Sequence, residues 1–291
     1  MKNPLFSGVC TALVTPFLGG EVNYPMLEQL IRRQIDAGIQ AIVIAGTTGE
    51  SPTLSVEEKL EMFRRAKNYA GDRCLILAGT GSNNTAQAIS LSIAAEKAGV
   101  DGLLIVSPYY NKATPEGLVA HYGAIASAVH IPVILYNVPS RTGLDIPVQV
   151  YSCLSRIPNI VGVKEASTDI TKITKILASC PDDFAVWSGN DEQTVAAMSL
   201  GCSGVISVVS NLFPDRLQVM AAAALDGDFD TAADLQIRMV PLIETLFSEV
   251  NPIPVKAAMK LMGYDCGHCR APLTPASKEV VEKLRKLLSV S

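Results

Sequence analysis

Ile160-Val161-Gly162-Val163-Lys164-Glu165-Ala166-Ser167 reads as a short buried strand that ends on an ammonium group. Strand alternation would put Ile160, Gly162 and Lys164 on one face and Val161 and Val163 on the other. An ammonium at the end of a buried strand is costly unless it is paired, neutralised or used. Desolvation favours the neutral amine, and a neutral amine attacks carbonyls to form a Schiff base. Taken alone, the run fits a lysine whose head snorkels to water at the strand end. The surrounding chain changes that weighting.

Working outward, similar apolar runs recur at 9–16, 41–47, 74–79, 102–107, 132–137, 185–189 and 204–209. Amphipathic segments alternate with them, at about 24–37, 55–70, 84–98, 115–129, 147–156, 169–179, 191–200 and 214–226. Several open on capping residues: Ser55 with Glu58 three later, Asn84, Thr114 before Pro115, and Asp145. Gly38, Gly71 and Gly99 stand where helices should end. Eight uninterrupted β/α units favour a (β/α)8 TIM barrel over an open doubly wound sheet, and no G-x-G-x-x-G follows the first run. In 41–47 one face carries Ala41, Val43, Ala45 and Thr47 and the other Ile42, Ile44 and Gly46. The smaller set is expected inside the barrel, which aims Lys164 inward at the carboxyl end, where barrel active sites lie. The alternation stops near residue 227. The expected organisation is a catalytic barrel over 1–227 and a C-terminal helical extension over 228–291, with helices near 228–248, 252–263 and 275–289.

The chain of 291 residues is 48% hydrophobic, 18% charged and 5% aromatic, enough for a large core. A formal net charge of −4 gives no reason to expect a nucleic acid or an acidic membrane as partner. No apolar stretch of spanning length is free of breakers, and Pro4, Ser7, Gly8 and Thr11 interrupt any signal-peptide core, so a cytoplasmic location is expected. Cys10, Cys74, Cys153 and Cys202 read as small hydrophobes. Cys266-Gly267-His268-Cys269 resembles a redox dithiol or half of a zinc site, but no second ligand pair is spaced to complete one. No metal is expected.

Polar strand ends carry the candidate chemistry. Gly46-Thr47-Thr48-Gly49-Glu50-Ser51 offers amides and hydroxyls that cradle a small carboxylate, or forms an ordinary tight turn. Tyr136-Asn137-Val138-Pro139-Ser140-Arg141-Thr142-Gly143 offers an inward tyrosine for proton transfer and an arginine for a carboxylate. Ser107-Pro108-Tyr109-Tyr110-Asn111-Lys112 places adjacent aromatics on a loop, a pattern more typical of packing or an interface.

With Trp187-Ser188-Gly189-Asn190-Asp191 and the stretch from Asn251 to Met259, these motifs stand in a fixed order over essentially the whole chain. The chain resembles the pyruvate-dependent class I lyases, the family of (β/α)8 barrels that includes N-acetylneuraminate lyase. Thr48, the Tyr109–Tyr110 pair and Arg141 resemble its synthase branch, which condenses pyruvate with L-aspartate 4-semialdehyde to give 4-hydroxy-tetrahydrodipicolinate in the diaminopimelate and lysine pathway. The resemblance implies that Lys164 forms the imine with pyruvate and Tyr136 moves protons. It also implies that Thr47 links Tyr136 to Tyr110 and that Thr48 holds the pyruvate carboxylate. Arg141 would receive the carboxylate of the semialdehyde, and the main chain near Gly189 and Ile206 would complete the pocket. No cofactor is implied, because the iminium is the electron sink. A homotetramer built from tight dimers is implied, with Tyr110 reaching into the neighbouring subunit's site. In lysine-sensitive relatives a feedback cleft matches Ser51, Asn83, Gln87 and Tyr109. Those relatives carry a glutamate at Gln87 and histidines at Val56 and Lys59, so a vestigial cleft is expected here.

Three other readings compete. A sugar-acid or sialic-acid aldolase of the same family would want neutral groups where Arg141 stands. A catalytically silent regulatory homologue would have lost the lysine, tyrosine or threonine, and all are present. A phosphate-binding barrel isomerase needs a glycine-rich loop after the seventh or eighth strand, and 188–191 and 208–211 are poor candidates.

Overall fold

The strand-forming runs close into a ring in a computed structural model that describes residues 4–289. The first three residues, part of the stretch read against a signal peptide, and the last two lie outside the described residues. In chain order the first elements are β1 (Gly8–Ala12), a hairpin of β2 (Phe17–Leu18) and β3 (Glu21–Val22), α1 (Tyr24–Asp36), β4 (Ala41–Ile44), α2 (Val56–Ala70), β5 (Leu75–Gly79) and α3 (Thr85–Lys97). Then follow β6 (Gly102–Val106), α4 (Pro115–Ser127), β7 (Val133–Asn137), α5 (Pro139–Thr142), α6 (Val148–Leu154), β8 (Ile160–Glu165) and α7 (Ile170–Ser179). The chain continues through β9 (Ala185–Ser188), α8 (Thr194–Ser199), β10 (Gly204–Ser207), α9 (Pro214–Leu225), α10 (Phe229–Leu246), α11 (Ile253–Leu261) and α12 (Lys278–Ser289). Strands β1 and β4 to β10 form a closed parallel barrel in sequence order, with β1 pairing both β4 and β10. The expected (β/α)8 barrel is therefore present. The hairpin and the single turn of α5 have no counterpart among the expected elements.

Two details of facing differ from strict alternation. Strand β4 stops at Ile44, and Ala45 turns to φ 53, joining the outer core under the helices. Only Ala41 and Val43 of the expected inward set fill the barrel. In β8 the register to β7 slips: Val133 pairs with Ile160 but Ile134 with Gly162, so Val161 is an extra residue. Ile160 accordingly packs in the outer core while Val161 packs against the inner cluster, the reverse of the expected assignment. Beyond the bulge, Lys164 keeps the inward face. The interior is not uniformly small either. Leu77, Leu104, Ile134, Trp187 and Ile206 pack there, and Trp187 stacks on Phe6 with ring centroids 4.7 Å apart. Gly162 makes room for this: a Cβ there would lie 2.2 Å from the Ala185 oxygen and 2.7 Å from the Trp187 ring.

Caps at Ser55 with Glu58, at Asn84 and at Thr114 form as the sequence indicates. Asp145 does not cap α6, whose N-cap is Pro147. Instead Asp145 accepts a hydrogen bond from the Asn137 amide and pairs with Lys172. After β10 the chain is helical. Helix α10 packs on α8 and α9, and α12 packs on α10 and α11. Among the described residues no helix is long and apolar enough to cross a membrane.

Candidate active site

Neighbouring strands deliver the first pair of groups. Tyr136 on β7 and Lys164 on β8 are register partners, so both side chains leave the same face at the same height. The Lys164 Nζ lies 4.5 Å from the centroid of the Tyr136 ring, and both residues are buried. One strand further, Gly189 follows the end of β9, its N–H donating to the Glu165 carbonyl at 2.7 Å. A Cβ on Gly189 would stand 2.5 Å from the Ala166 Cβ and 3.0 Å from the Lys164 Cε. The missing side chain is what lets the lysine stem pass. Ile206 on β10 is wholly buried in the inner core, side chain and main chain alike.

Glu165, next to the lysine, faces the other way and fixes both strand ends. Its carboxylate accepts from the Asn137 Nδ2 at 2.8 Å, the Ser167 N–H at 2.8 Å and the Tyr151 hydroxyl at 3.2 Å. The Lys172 Nζ stands 3.9 Å away and balances the buried charge. Tyr136 and Lys164 are thus held through their immediate neighbours, Asn137 and Glu165.

The loop after β4 carries Thr47 and Thr48. It is pinned from behind by groups that sequence reasoning left without a role. Glu50 sits in the left-handed region at φ 57 and is buried. Its carboxylate accepts from the Lys256 Nζ at 2.9 Å and the Arg270 N–H at 2.8 Å. Lys256 also donates to the Thr15 carbonyl at 3.1 Å, and the Thr15 hydroxyl donates to the Gly49 carbonyl at 2.6 Å. Asn251 donates its Nδ2 to the Thr48 Oγ1 at 2.9 Å, and its main-chain oxygen accepts from the Arg141 Nη2 at 3.2 Å. The motif Asn251-Pro252-Ile253-Pro254-Val255-Lys256 was the available signal: polar and charged residues amid a buried apolar run.

These elements enclose a cleft of ≈ 850 Å³ whose wall includes Thr47, Tyr136, Arg141 and Asn251. Ser51, Gln87 and Tyr109 line the same cleft, as do Val56 and Lys59. Lys164, Thr48, Gly189, Ile206, Tyr110 and Asn83 are not on its wall. Lys164 meets it through the Tyr136 ring, and Thr48 through Asn251. The Asn83 carbonyl accepts from the Asn111 Nδ2 at 3.0 Å. Tyr110 is 93% exposed, has φ 68 and does not line the chain's own cleft. Among the described residues no hydrogen bond joins Thr47 to Tyr136 or to Tyr110.

Asp191 also had no assigned role. It is fully buried beyond β9, and its Oδ2 accepts from the N–H groups of Val208 at 2.8 Å and Val209 at 3.2 Å. Burial raises its carboxyl pKa, while hydrogen bonds and the Lys164 charge draw it back. It ties the loops after β9 and β10 together. The Cys266 and Cys269 thiols are both free. Burial pushes Cys266 up to about 12 and Cys269 up to about 11. Such thiols hold little thiolate at neutral pH and are poor nucleophiles. Among the described residues no group of three or more His, Cys, Asp or Glu side chains is placed to hold a metal ion.

Residues 5–291 match the model of the dihydrodipicolinate synthetase family. A 4-hydroxy-tetrahydrodipicolinate synthase of Thermoanaerobacter sp. (strain X514) is 46% identical over 98% of this chain and 97% of that protein. The fold superposes with TM-score 0.95 on the chloride-inhibited dihydrodipicolinate synthase of Acinetobacter baumannii complexed with pyruvate, 43% identical over 98% of both chains. It superposes with TM-score 0.96 on the enzyme from Cyanidioschyzon merolae with lysine bound, 41% identical over 99% of this chain and 98% of that one.

Proposed function

The chain belongs to the dihydrodipicolinate synthetase family, and from that premise we propose how its site condenses pyruvate with L-aspartate 4-semialdehyde. The observation that carries the proposal is the inward Lys164 in register with Tyr136, at the carboxyl end of a closed barrel. The Lys164 amine adds to the ketone carbon of pyruvate, and water leaves to give the iminium. Tyr136 relays the protons of these steps. Loss of a methyl proton converts the iminium to an enamine, which attacks the aldehyde carbon and forms the new C–C bond. The aldehyde oxygen takes up a proton. The substrate amine then attacks the former imine carbon, the bond to Lys164 breaks, and the free lysine returns. No metal or cofactor is needed, since the iminium accepts the electron pair when the methyl proton leaves and again when the amine adds, and the aldehyde oxygen accepts it in between.

The two substrate carboxylates are assigned to separate holders. Thr48 takes that of pyruvate and Arg141 that of the semialdehyde, with main chain at Gly189 and Ile206 closing the second pocket. The barrel of 1–227 and the extension of 228–291 act as one unit, because Asn251 and Lys256 reach the loop that carries Thr47 and Thr48. Thr47 passes protons from Tyr136 to a Tyr110 supplied by a second subunit. The exposed, left-handed Tyr110 supports that reading, and the assembly is a homotetramer of tight dimers. A reducing, cytoplasmic setting is part of this reading, one in which thiols such as those of Cys266 and Cys269 stay reduced. Ser51, Asn83, Gln87 and Tyr109 mark a vestigial regulatory cleft.

Borohydride reduction in the presence of pyruvate tests the mechanism. The expected result is irreversible inactivation with the adduct on Lys164, because reduction fixes the imine. An adduct mapped to another lysine overturns it. A coupled assay comparing the semialdehyde with N-acetylneuraminate and keto-deoxygluconate tests the substrate.

A further inference from the structure

Asn251 carries a buried acceptor with no partner. The residue is 6% exposed and lines the cleft, and its Oδ1 makes no hydrogen bond. A buried amide oxygen left unpaired costs about as much as a lost hydrogen bond, so such a group in a ligand cleft calls for a donor from water or from a ligand. The orientation of the amide follows from the chemistry around it. If the single Thr48 hydroxyl proton goes to the pyruvate carboxylate, the Thr48 oxygen is left to accept. The Asn251 Nδ2 then has to face Thr48, as it does at 2.9 Å, and the Oδ1 is the acceptor left over for a ligand donor.

Which donor belongs there is set by Arg141. Its Nη2 donates to the main-chain oxygen of the same Asn251 at 3.2 Å. The guanidinium therefore bonds the same residue that carries the orphan oxygen, a donor fork and an acceptor brought to one place in the cleft. An α-amino acid presents the complementary pair, a carboxylate and an ammonium on one carbon. We propose that the Asn251 Oδ1 accepts a hydrogen bond from the α-amino group of the second substrate while Arg141 holds its α-carboxylate. This rests on the function proposed above and adds a selectivity to it. The site distinguishes an α-amino aldehyde from the same four-carbon aldehyde acid lacking the amino group. The contact also keeps the amine from wandering until C–C bond formation brings the imine carbon within its reach.

The test is a cycle of enzyme against substrate amino group. The KM of L-aspartate 4-semialdehyde and the inhibition constant of succinate semialdehyde, its deamino analogue, are measured for wild type, Asn251→Ala and Asn251→Asp. Both ligands lose whatever Asn251 contributes through Thr48 and Arg141, so that part cancels in the ratio of the two constants. In Asn251→Ala the ratio should rise by about ten- to a hundredfold, the worth of one charge-assisted hydrogen bond. Asn251→Asp keeps an acceptor and loses the donor to Thr48. Its ratio should stay or fall while the KM for pyruvate rises. An unchanged ratio in Asn251→Ala, or a raised ratio in Asn251→Asp, overturns the proposal and leaves Asn251 as a link between Thr48 and Arg141 only. Should Asn251→Ala fail to fold, the aspartate variant decides alone. Borohydride trapping of pyruvate on wild type separates the two levels: failure to trap removes the proposed function, whereas trapping with an unchanged ratio removes only this inference.

Discussion

Lys164 is buried beside an aromatic face, and its freedom is set by atoms that are absent. A Cβ on Gly189 would meet the Ala166 Cβ at 2.5 Å and the Lys164 Cε at 3.0 Å, so even the smallest side chain forces its neighbours to shift. Gly189→Ala should therefore displace the lysine stem, at an overpacking cost of about 1–3 kcal/mol. Slower pyruvate trapping, by at least about tenfold, in a variant that still unfolds cooperatively is the expected outcome. Trapping at the wild-type rate would show that the stem can move aside. Lys164→Ala should behave differently: it removes a buried charged group without demanding space, so circular dichroism should report a folded protein while most of the rate is gone.

At the level of elements, the alternation of strand and helix was plain in the sequence because the buried strands are short apolar runs set off by caps and glycines. The inward placement of Lys164 was read from strict alternation, yet a bulge at Val161 intervenes, and Ile160 and Lys164 do not share a face. The placement of the lysine held because the bulge lies before Gly162 and leaves the last three residues alternating. A bulge is a property of two paired strands, and one strand's sequence does not show it. The same limit hid Asn251, Glu50, Lys256 and Asp191: each acts across a sequence separation that pattern reading does not bridge. The Lys256–Glu50 pair joins positions 206 residues apart. Removing one partner of such a buried pair strands the other's charge, at a cost of about 3–5 kcal/mol, whereas replacing both with apolar groups is often neutral. Lys256→Met should lower the urea midpoint sharply and raise the KM for pyruvate through the Thr47–Thr48 loop. Adding Glu50→Leu should recover stability more than pyruvate affinity. A small loss in the single variant would mean that Arg270 and water compensate.

For the whole molecule, the cleft is wider than one condensation site requires, because its wall runs from Tyr136 and Arg141 to Gln87 and Tyr109. Tyr110 extends the argument to assembly, since an exposed aromatic in strained backbone fits a ring that reaches a second subunit. Mixing Tyr110→Phe with Lys164→Ala protomers under subunit exchange should restore activity in hybrid dimers; no recovery would place the relay within one chain. The proposed vestigial regulatory cleft lies at the far end, where Gln87 and Tyr109 stand. Val56 and Lys59 lie one turn apart on α2, and Gln87 faces the same space from α3. Burial pushes the Lys59 ammonium pKa down, the sign of a cation with too little water. L-lysine entering there brings a net positive charge, and Gln87 offers it no carboxylate. A like charge about 4 Å away costs roughly 4 kcal/mol at an effective dielectric of about 20, before screening. Losing only about 2 kcal/mol weakens binding more than tenfold. L-lysine should therefore inhibit this enzyme weakly or not at all. Gln87→Glu combined with Lys59→His should increase sensitivity by restoring an acceptor and lifting the repulsion. Inhibition of the wild-type enzyme at micromolar L-lysine would overturn the argument, and would mean that a carboxylate from a second subunit faces the cleft.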